Sequence, residues 1–589
     1  MAADVSELWE QRFLAPRIDL PSYALDDPST CIVDSDESGV LEIYVWDRVA
    51  ESRRQLTSRP DGTSGGVISH DGSTVWWFDD DAGSEHGVWR RQPFSGGEAV
   101  IAAPDIPAAY SAGMALHRDG TAVIGTSDDG GTIIYVVAPD GDTRILYSHE
   151  EDAAIIDISR DGTLCLVQHS EHGDSRHPAL RVVRTHDGSS VADLWDGPGK
   201  GVNGLGFPDV EGDNRVLVGH ERRGSEEILV WDPLTTTEGE ILIELDGDLS
   251  AQWWPNGRGL LIQRDHHGRS TLHRMLPDGS LTAVGPATGV IADATVLPDG
   301  EVWMNWSSSA KPSTIVDSSG STVITTNGPA SPLSVAAEDV WVDGIHAFLL
   351  RPPGATGRLP AVFVVHGGPE WHDEDGFRRD LAAFVDAGYA AVTVNYRGST
   401  GYGSQWRDAN TDDIGFVELA DIARVREHLV ATGVIDPTQV ALTGGSWGGF
   451  LTLLGLGTQP DLWSCGVAAV PVADYVAAYE DEMEGLKAYD RAMFGGSPAD
   501  VPEAYVRASP LTYIERVTAP VLVLAGVNDP RCPLRQIENY LSALESLNKQ
   551  HEVYRFDAGH GSHVTAERIN QMRAELDFLA RHLTPVAAA

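Results

Sequence analysis

The run Val440-Ala441-Leu442-Thr443-Gly444-Gly445-Ser446-Trp447-Gly448-Gly449-Phe450 restricts the fold of this chain more than any other stretch. It reads as a short apolar strand, a glycine-crowded turn with a serine at its apex, and the start of an apolar helix. Gly444 and Gly448 bracket Ser446 in a G-x-S-x-G pattern. A turn this tight leaves no room for side chains two residues either side of the serine. It also holds the serine in a strained conformation, with its hydroxyl projecting from a sheet edge. The strand before and helix after make Ser446 a candidate nucleophile.

The surroundings of this turn predict an α/β domain over residues 330–589. Val340-Trp341-Val342 and Ala347-Phe348-Leu349-Leu350 read as antiparallel lead-in strands. The runs Ala361 to Val365 and Ala390 to Asn395 are continuously apolar, as strands buried on both faces of a parallel sheet are. Helical patterns at 378–387, 417–432, 449–457, 534–548 and 566–583 alternate with the strands. Reactive residues then belong in the loops beyond the strand C-termini. His366-Gly367-Gly368-Pro369, Ser446, Val527-Asn528-Asp529 and Asp557-Ala558-Gly559-His560-Gly561 all fall there.

A serine hydroxyl needs a base to remove its proton as it attacks, and the base needs a carboxylate to set its tautomer. His560 is the expected base and Asp529 the expected acid, in the chain order Ser446, Asp529, His560 found in α/β-hydrolases. His563 is a rival base and Asp557 a rival acid. The oxyanion hole is expected from the backbone N–H groups of Trp447 and Gly368.

Residues 21–329 carry a different pattern: short alternating strands with hardly any helical periodicity. Turn signals recur at Asp71-Gly72, Asp119-Gly120, Asp161-Gly162, Gly212-Asp213, Asn256-Gly257 and Asp299-Gly300. Their spacing of roughly 40 to 50 residues suits one four-stranded propeller blade each. With an earlier hairpin at Ser38-Gly39, the reading is an all-β propeller of about seven blades. His266-His267, Ser84-Glu85-His86 and Ser170-Glu171-His172 lack the spacing of metal ligands and read as polar loop residues. Residues 1–20 begin as a short amphipathic helix, expected to pack on the hydrolase domain.

The chain has 589 residues and a net charge of −45, with only Lys200, Lys311, Lys487 and Lys549 as lysines. Such an acidic surface repels nucleic acid and anionic membranes, and neither is an expected partner. Cys31, Cys165, Cys465 and Cys532 are scattered, which suits free thiols in a cytoplasm better than a disulfide framework. No apolar run is long enough to span a bilayer. Neither a metal nor a cofactor is expected, and a homo-oligomer stays open.

Taken together, HGGP at His366 to Pro369, NYRGSTGYG at Asn395 to Gly403, GGSWGGF at Gly444 to Phe450, GVNDPRCP at Gly526 to Pro533 and AGHG at Ala558 to Gly561 resemble the prolyl oligopeptidase family of serine peptidases. Within it, the chain is most similar to the acylaminoacyl-peptidase and dipeptidyl-aminopeptidase branch. The resemblance covers the C-terminal domain in motif order and rests on architecture alone in the propeller. It implies a Ser446, Asp529 and His560 triad acting on short peptides or acylated amino acids, with the propeller restricting access. A hydrolase of small-molecule amides or esters using the same triad is the alternative. The resemblance also implies that Arg531 binds a substrate carbonyl or carboxylate, against the plainer role of an ion pair with Glu538. Trp447 stands where many members of the branch carry tyrosine. The propeller glutamates that hold a free substrate N-terminus are not identifiable in this sequence.

Overall fold

The computed structural model describes residues 5–586. Residues 1–4 and 587–589, at the ends of the expected N-terminal segment and hydrolase domain, lie outside the described residues. The first part of the chain is a β-propeller and the second an α/β-hydrolase domain.

Where about seven four-stranded blades were expected, strand pairing gives five separate four-stranded antiparallel sheets and one of eight strands. The larger sheet arises because His86–Pro93 and Ala109–Leu116 pair through His86 with Tyr110 and Gly87 with Ala109. The recurring turns join the first and second strands of a unit. At Gly72, Gly120, Gly162, Gly257 and Gly300 the glycine N–H donates to the carbonyl three residues earlier, at 2.8–3.0 Å. Each of these glycines has a positive φ, which explains the recurrence of glycine rather than of any side chain. The Ser38-Gly39 turn departs from the pattern, since it joins the second strand of the first sheet, Thr30–Ser35, to the third, Glu42–Asp47. The first and last sheets meet where Tyr23 Oη donates to the Val296 carbonyl at 2.7 Å. Cys31, Leu297 and Trp303 pack together at the same seam.

The hydrolase sheet has eight strands: β1 (Glu338–Val342), β2 (Ile345–Leu350), β3 (Leu359–Val365), β4 (Ala390–Asn395), β5 (Ile435–Gly445), β6 (Cys465–Ala469), β7 (Val521–Gly526) and β8 (His551–Phe556). Their order is β1-β2-β4-β3-β5-β6-β7-β8. The β1–β2 and β2–β4 pairs are antiparallel and the remainder parallel. Strands β2, β3, β4 and β7 are buried along their whole length, as continuous apolar runs require. Sequence patterning missed β6, whose Cys-Gly-Val-Ala-Ala is too short and small-sided to show a period. It also missed the helices Tyr475–Asp481, Glu484–Phe494 and Pro502–Ala508 between β6 and β7.

The helix Val5–Leu14 lies against the hydrolase domain. Trp9 and Phe13 join a core that contains Phe384, Ile569 and Met572. Buried Arg12 donates to Asp386 Oδ2 at 2.6 Å and to the carbonyls of Pro332 at 2.7 Å and Leu333 at 3.1 Å. Among the described residues, no helix is long and apolar enough to cross a membrane.

Buried titratable groups in both domains give the protein an inverted pH response. Burial raises Asp373 to about 7 and Glu418 to about 8. The unfolded chain releases these protons near pH 4 to 4.5, so between about pH 4.5 and 8 the folded state binds more protons. Stability therefore falls as pH rises across that window. His177 adds to the same trend. Burial opposes its charge, but hydrogen bonds to Asp174 and Asp408 raise it to about 9, a contribution lost as pH rises through that value. The unfolding free energy is expected to drop on the order of 5 kcal/mol between pH 5.5 and 8.5, each tenfold change in proton affinity being about 1.4 kcal/mol. Urea titrations at the two pH values check this, and equal or greater stability at pH 8.5 would refute it.

Candidate active site

Strand β5 runs directly into Ser446, and the helix Trp447–Thr458 leaves from it. Ser446 has φ 57° and ψ −121°, a conformation costly for any residue with a Cβ. The flanking glycines show why the turn tolerates nothing larger. A Cβ on Gly444 would lie 2.6 Å from the Val365 carbonyl oxygen, and one on Gly448 would lie 2.1 Å from the same atom. The Ser446 N–H donates to the Ala469 carbonyl of β6 at 2.9 Å, which anchors the apex from one side. As the first helical residue, Trp447 has an N–H without an intrahelical acceptor. The loop after β3 passes close by, since a Cβ on Gly367 would stand 3.3 Å from Ser446 Cβ. His366 is buried and shapes that loop. Its ring stacks on Tyr396 at 4.2 Å, its Nε2 meets Ser399 Oγ at 2.8 Å, and burial holds it neutral, down at about 3.

His560 stands beyond β8, with Nδ1 2.8 Å from Asp529 Oδ2. Asp529, in the loop after β7, is 5% exposed. Its other oxygen accepts the backbone N–H groups of Arg531 and Cys532, each at 2.9 Å. One carboxylate oxygen is thus committed to the loop and the other to the imidazole. Ser446 and His560 share no hydrogen bond here, and such contacts often tighten only around substrate. The rival residues are engaged elsewhere. The His563 ring lies in the field of Arg17, Asp80 and Arg568 rather than of Asp529, and Asp557 takes Asn528 Nδ2 at 3.3 Å.

Arg531 does not pair with Glu538, which is bound by Arg555 at 2.8 Å. Its guanidinium instead forms a two-point contact with Glu85 of the propeller, Nε to Oε1 at 2.7 Å and Nη2 to Oε2 at 3.0 Å. Glu85, read from sequence as an inert loop residue, therefore reaches the hydrolase loop that carries Asp529. No local signal could have revealed this, because the partners lie 446 positions apart. The same propeller loop touches the histidine loop through backbone alone. A Cβ on Gly83 would lie 2.7 Å from Gly559 N, and one on Gly559 would lie 1.8 Å from the Gly83 oxygen. Asn528 Nδ2 also donates to the Ala82 carbonyl, at 3.3 Å.

Cys532 is buried beside these groups. Its Sγ and the donor atoms of Asp529 and His560 lie within 4.8 Å of one another. Burial, then the charges of Asp529 and Glu482, push the thiol well above its usual range. The Asp529–His560 hydrogen bond accounts for the proximity of two of these three groups.

Residues 376–585 match the model of the prolyl oligopeptidase family. Dipeptidyl peptidase family member 6 of Caenorhabditis elegans is 32% identical over 225 residues, covering 36% of this chain and 30% of that protein. The acylamino-acid-releasing enzyme of Homo sapiens is 31% identical over 220 residues, covering 36% and 30%. The chain spans about a third of the length of the curated relatives it matches. Over nearly all of both chains, 99% and 97%, the fold is similar to that of a Mycobacterium tuberculosis puromycin-hydrolyzing peptidase, with a TM-score of 0.81 at 19% identity.

Proposed function

We propose that this chain, whose C-terminal domain belongs to the prolyl oligopeptidase family, is a serine peptidase that cleaves short peptides through an acyl-enzyme at Ser446. The observation that carries the reading is the 2.8 Å contact between His560 Nδ1 and Asp529 Oδ2, beside a serine held at positive φ. His560 Nε2 takes the Ser446 proton as Oγ attacks the scissile carbonyl. The N–H groups of Trp447 and Gly368 hold the resulting oxyanion, each worth about 3 kcal/mol in the transition state. His560 then protonates the leaving amine, and water repeats the sequence on the acyl-enzyme. Arg531, held by Glu85, binds a substrate carbonyl next to the scissile bond.

The propeller restricts the site to short or unfolded chains. Only two residue pairs bridge the halves of its eight-stranded sheet, which supports counting those halves as two blades and seven in all. We divide the chain into an N-terminal helix that belongs with the hydrolase, a propeller over 21–329 and a hydrolase domain from 330. The four cysteines are buried and free, which supports a reducing, cytoplasmic setting.

Parallel assays of acyl-aminoacyl and dipeptidyl anilides against simple nitrophenyl esters test the substrate class. Anilide hydrolysis is expected, with release of single acylated residues or dipeptides. Ester turnover with no peptide cleavage would move the assignment to a small-molecule hydrolase with the same triad.

A further inference from the structure

The helices Tyr475–Asp481 and Glu484–Phe494, missed from sequence, cover the Ser446 elbow. Tyr475 meets Trp447 edge-on at 6.4 Å and Phe450 at 5.1 Å, and also packs edge-on against Phe494 at 5.1 Å. The junction between the helices is tied to the Asp529 loop, where the Met483 N–H donates to the Pro530 carbonyl at 3.0 Å. Glu482, the residue before that tie, is 5% exposed, and Asp490 on the second helix is 6% exposed. Neither carboxylate has a salt bridge among the described residues. Lys487 and Arg491 pair instead with Glu484, at 3.7 Å and 3.1 Å, and with Asp129 and Glu151 of the propeller, at 3.6 Å and 3.5 Å. Their charges reach Glu482 only at longer range.

Several sealed atoms in this region lack any hydrogen-bond partner. They are Trp447 Nε1, Tyr475 Oη, Glu482 Oε1, Tyr489 Oη and Asp490 Oδ2. Native interiors rarely leave even one such atom unsatisfied, and four of these five fall within residues 475–490. Of the charges around the Tyr475 phenol, Asp490 acts most strongly, followed by Cys532 and Glu482. The unpartnered hydroxyl is therefore buried within the field of both acids and of the thiol beside the triad. Burial raises both carboxyls, and the charge of Asp490 raises Glu482 further, so an approaching cation would find groups ready to ionise for it. Paired acids and aromatic faces are the surroundings that accept a desolvated cation.

We propose that Glu482 and Asp490 form the acidic floor of the pocket for the side chain nearest the scissile bond, and that the residue acylating Ser446 carries an ammonium or guanidinium. This rests on the peptidase reading only in taking Ser446 as the nucleophile. A substrate guanidinium would supply donors to Glu482, Asp490 and the Tyr475 oxygen, with the Tyr475 ring against its face. A neutral isostere of the same length would leave the carboxyls unmatched.

The test uses the full chain and peptidyl diphenyl phosphonates, which label a serine nucleophile whether or not peptides are its natural substrates. Arginine and citrulline analogues at the reacting position are compared by labelling rate. The arginine probe is expected to react roughly 100-fold faster or more, since a site built for a polar group discriminates strongly against its absence. Glu482→Gln and Asp490→Asn should each cut that ratio at least about tenfold, in line with the loss of one partner of a buried charge pair. If either variant fails to fold, the unmodified chain's ratio still decides. Equal or faster labelling by the citrulline probe, or a ratio unmoved in both variants, would overturn the proposal and leave a shared-proton acid pair with a structural role. Selective phosphonate labelling without anilide hydrolysis would count against the peptidase reading and leave the pocket assignment standing.

Discussion

Ser446→Ala is expected to lower hydrolysis about 10⁶-fold and to abolish labelling by a fluorophosphonate probe. The two losses must occur together, because the same oxygen forms the acyl-enzyme and the probe adduct. The residual rate would come from the oxyanion donors and substrate positioning, which the substitution leaves in place. Alanine suits this position structurally, since it keeps the Cβ and therefore the strain at φ 57°. Ser446→Gly removes nucleophile and strain together and should raise the unfolding midpoint relative to the alanine variant. Retention of labelling or of peptide hydrolysis by Ser446→Ala would show that another residue is the nucleophile.

Asp529→Asn is expected to lower kcat/KM about 10⁴-fold with the fold intact. The surroundings of Asp529 determine which way the new amide must point. Its Oδ1 already accepts the N–H groups of Arg531 and Cys532, so an asparagine retains those contacts only by keeping its carbonyl there. The amide nitrogen then faces His560 Nδ1 and donates to it, which places the imidazole proton on Nε2. That tautomer cannot accept the serine proton. Steady-state kinetics alongside a thermal unfolding midpoint separate this from misfolding. A loss of less than tenfold would mean that His560 does not depend on Asp529.

The hydrolase domain was legible because its motifs are local. Each candidate residue follows its own strand, so HGGP, GGSWGGF, the Asp529 loop and the His560 loop could each be read from a few neighbours. Propeller turns were legible for a similar reason, since a positive φ three residues into a tight turn selects glycine again and again. Strand β6 was not, because five small residues show neither alternation nor bulk. Nor could Glu85 be distinguished from other acidic loop residues, as its partner is fixed by how the domains meet. Glu482 and Asp490 carry no local signal that sets them apart from the other acids in a sequence of charge −45. Their burial follows from the packing of helices that sequence patterning did not resolve.

The contact between Gly83 and Gly559 gives the propeller a part in shaping the histidine loop. Two bare backbones touch there, one residue before His560, with no side chain to stretch and maintain the contact as the domains part. Widening the gap by even a few ångströms removes the wall behind the histidine loop. The propeller is thus a mounting for the loop that carries His560, and it acts through backbone shape rather than through any side chain.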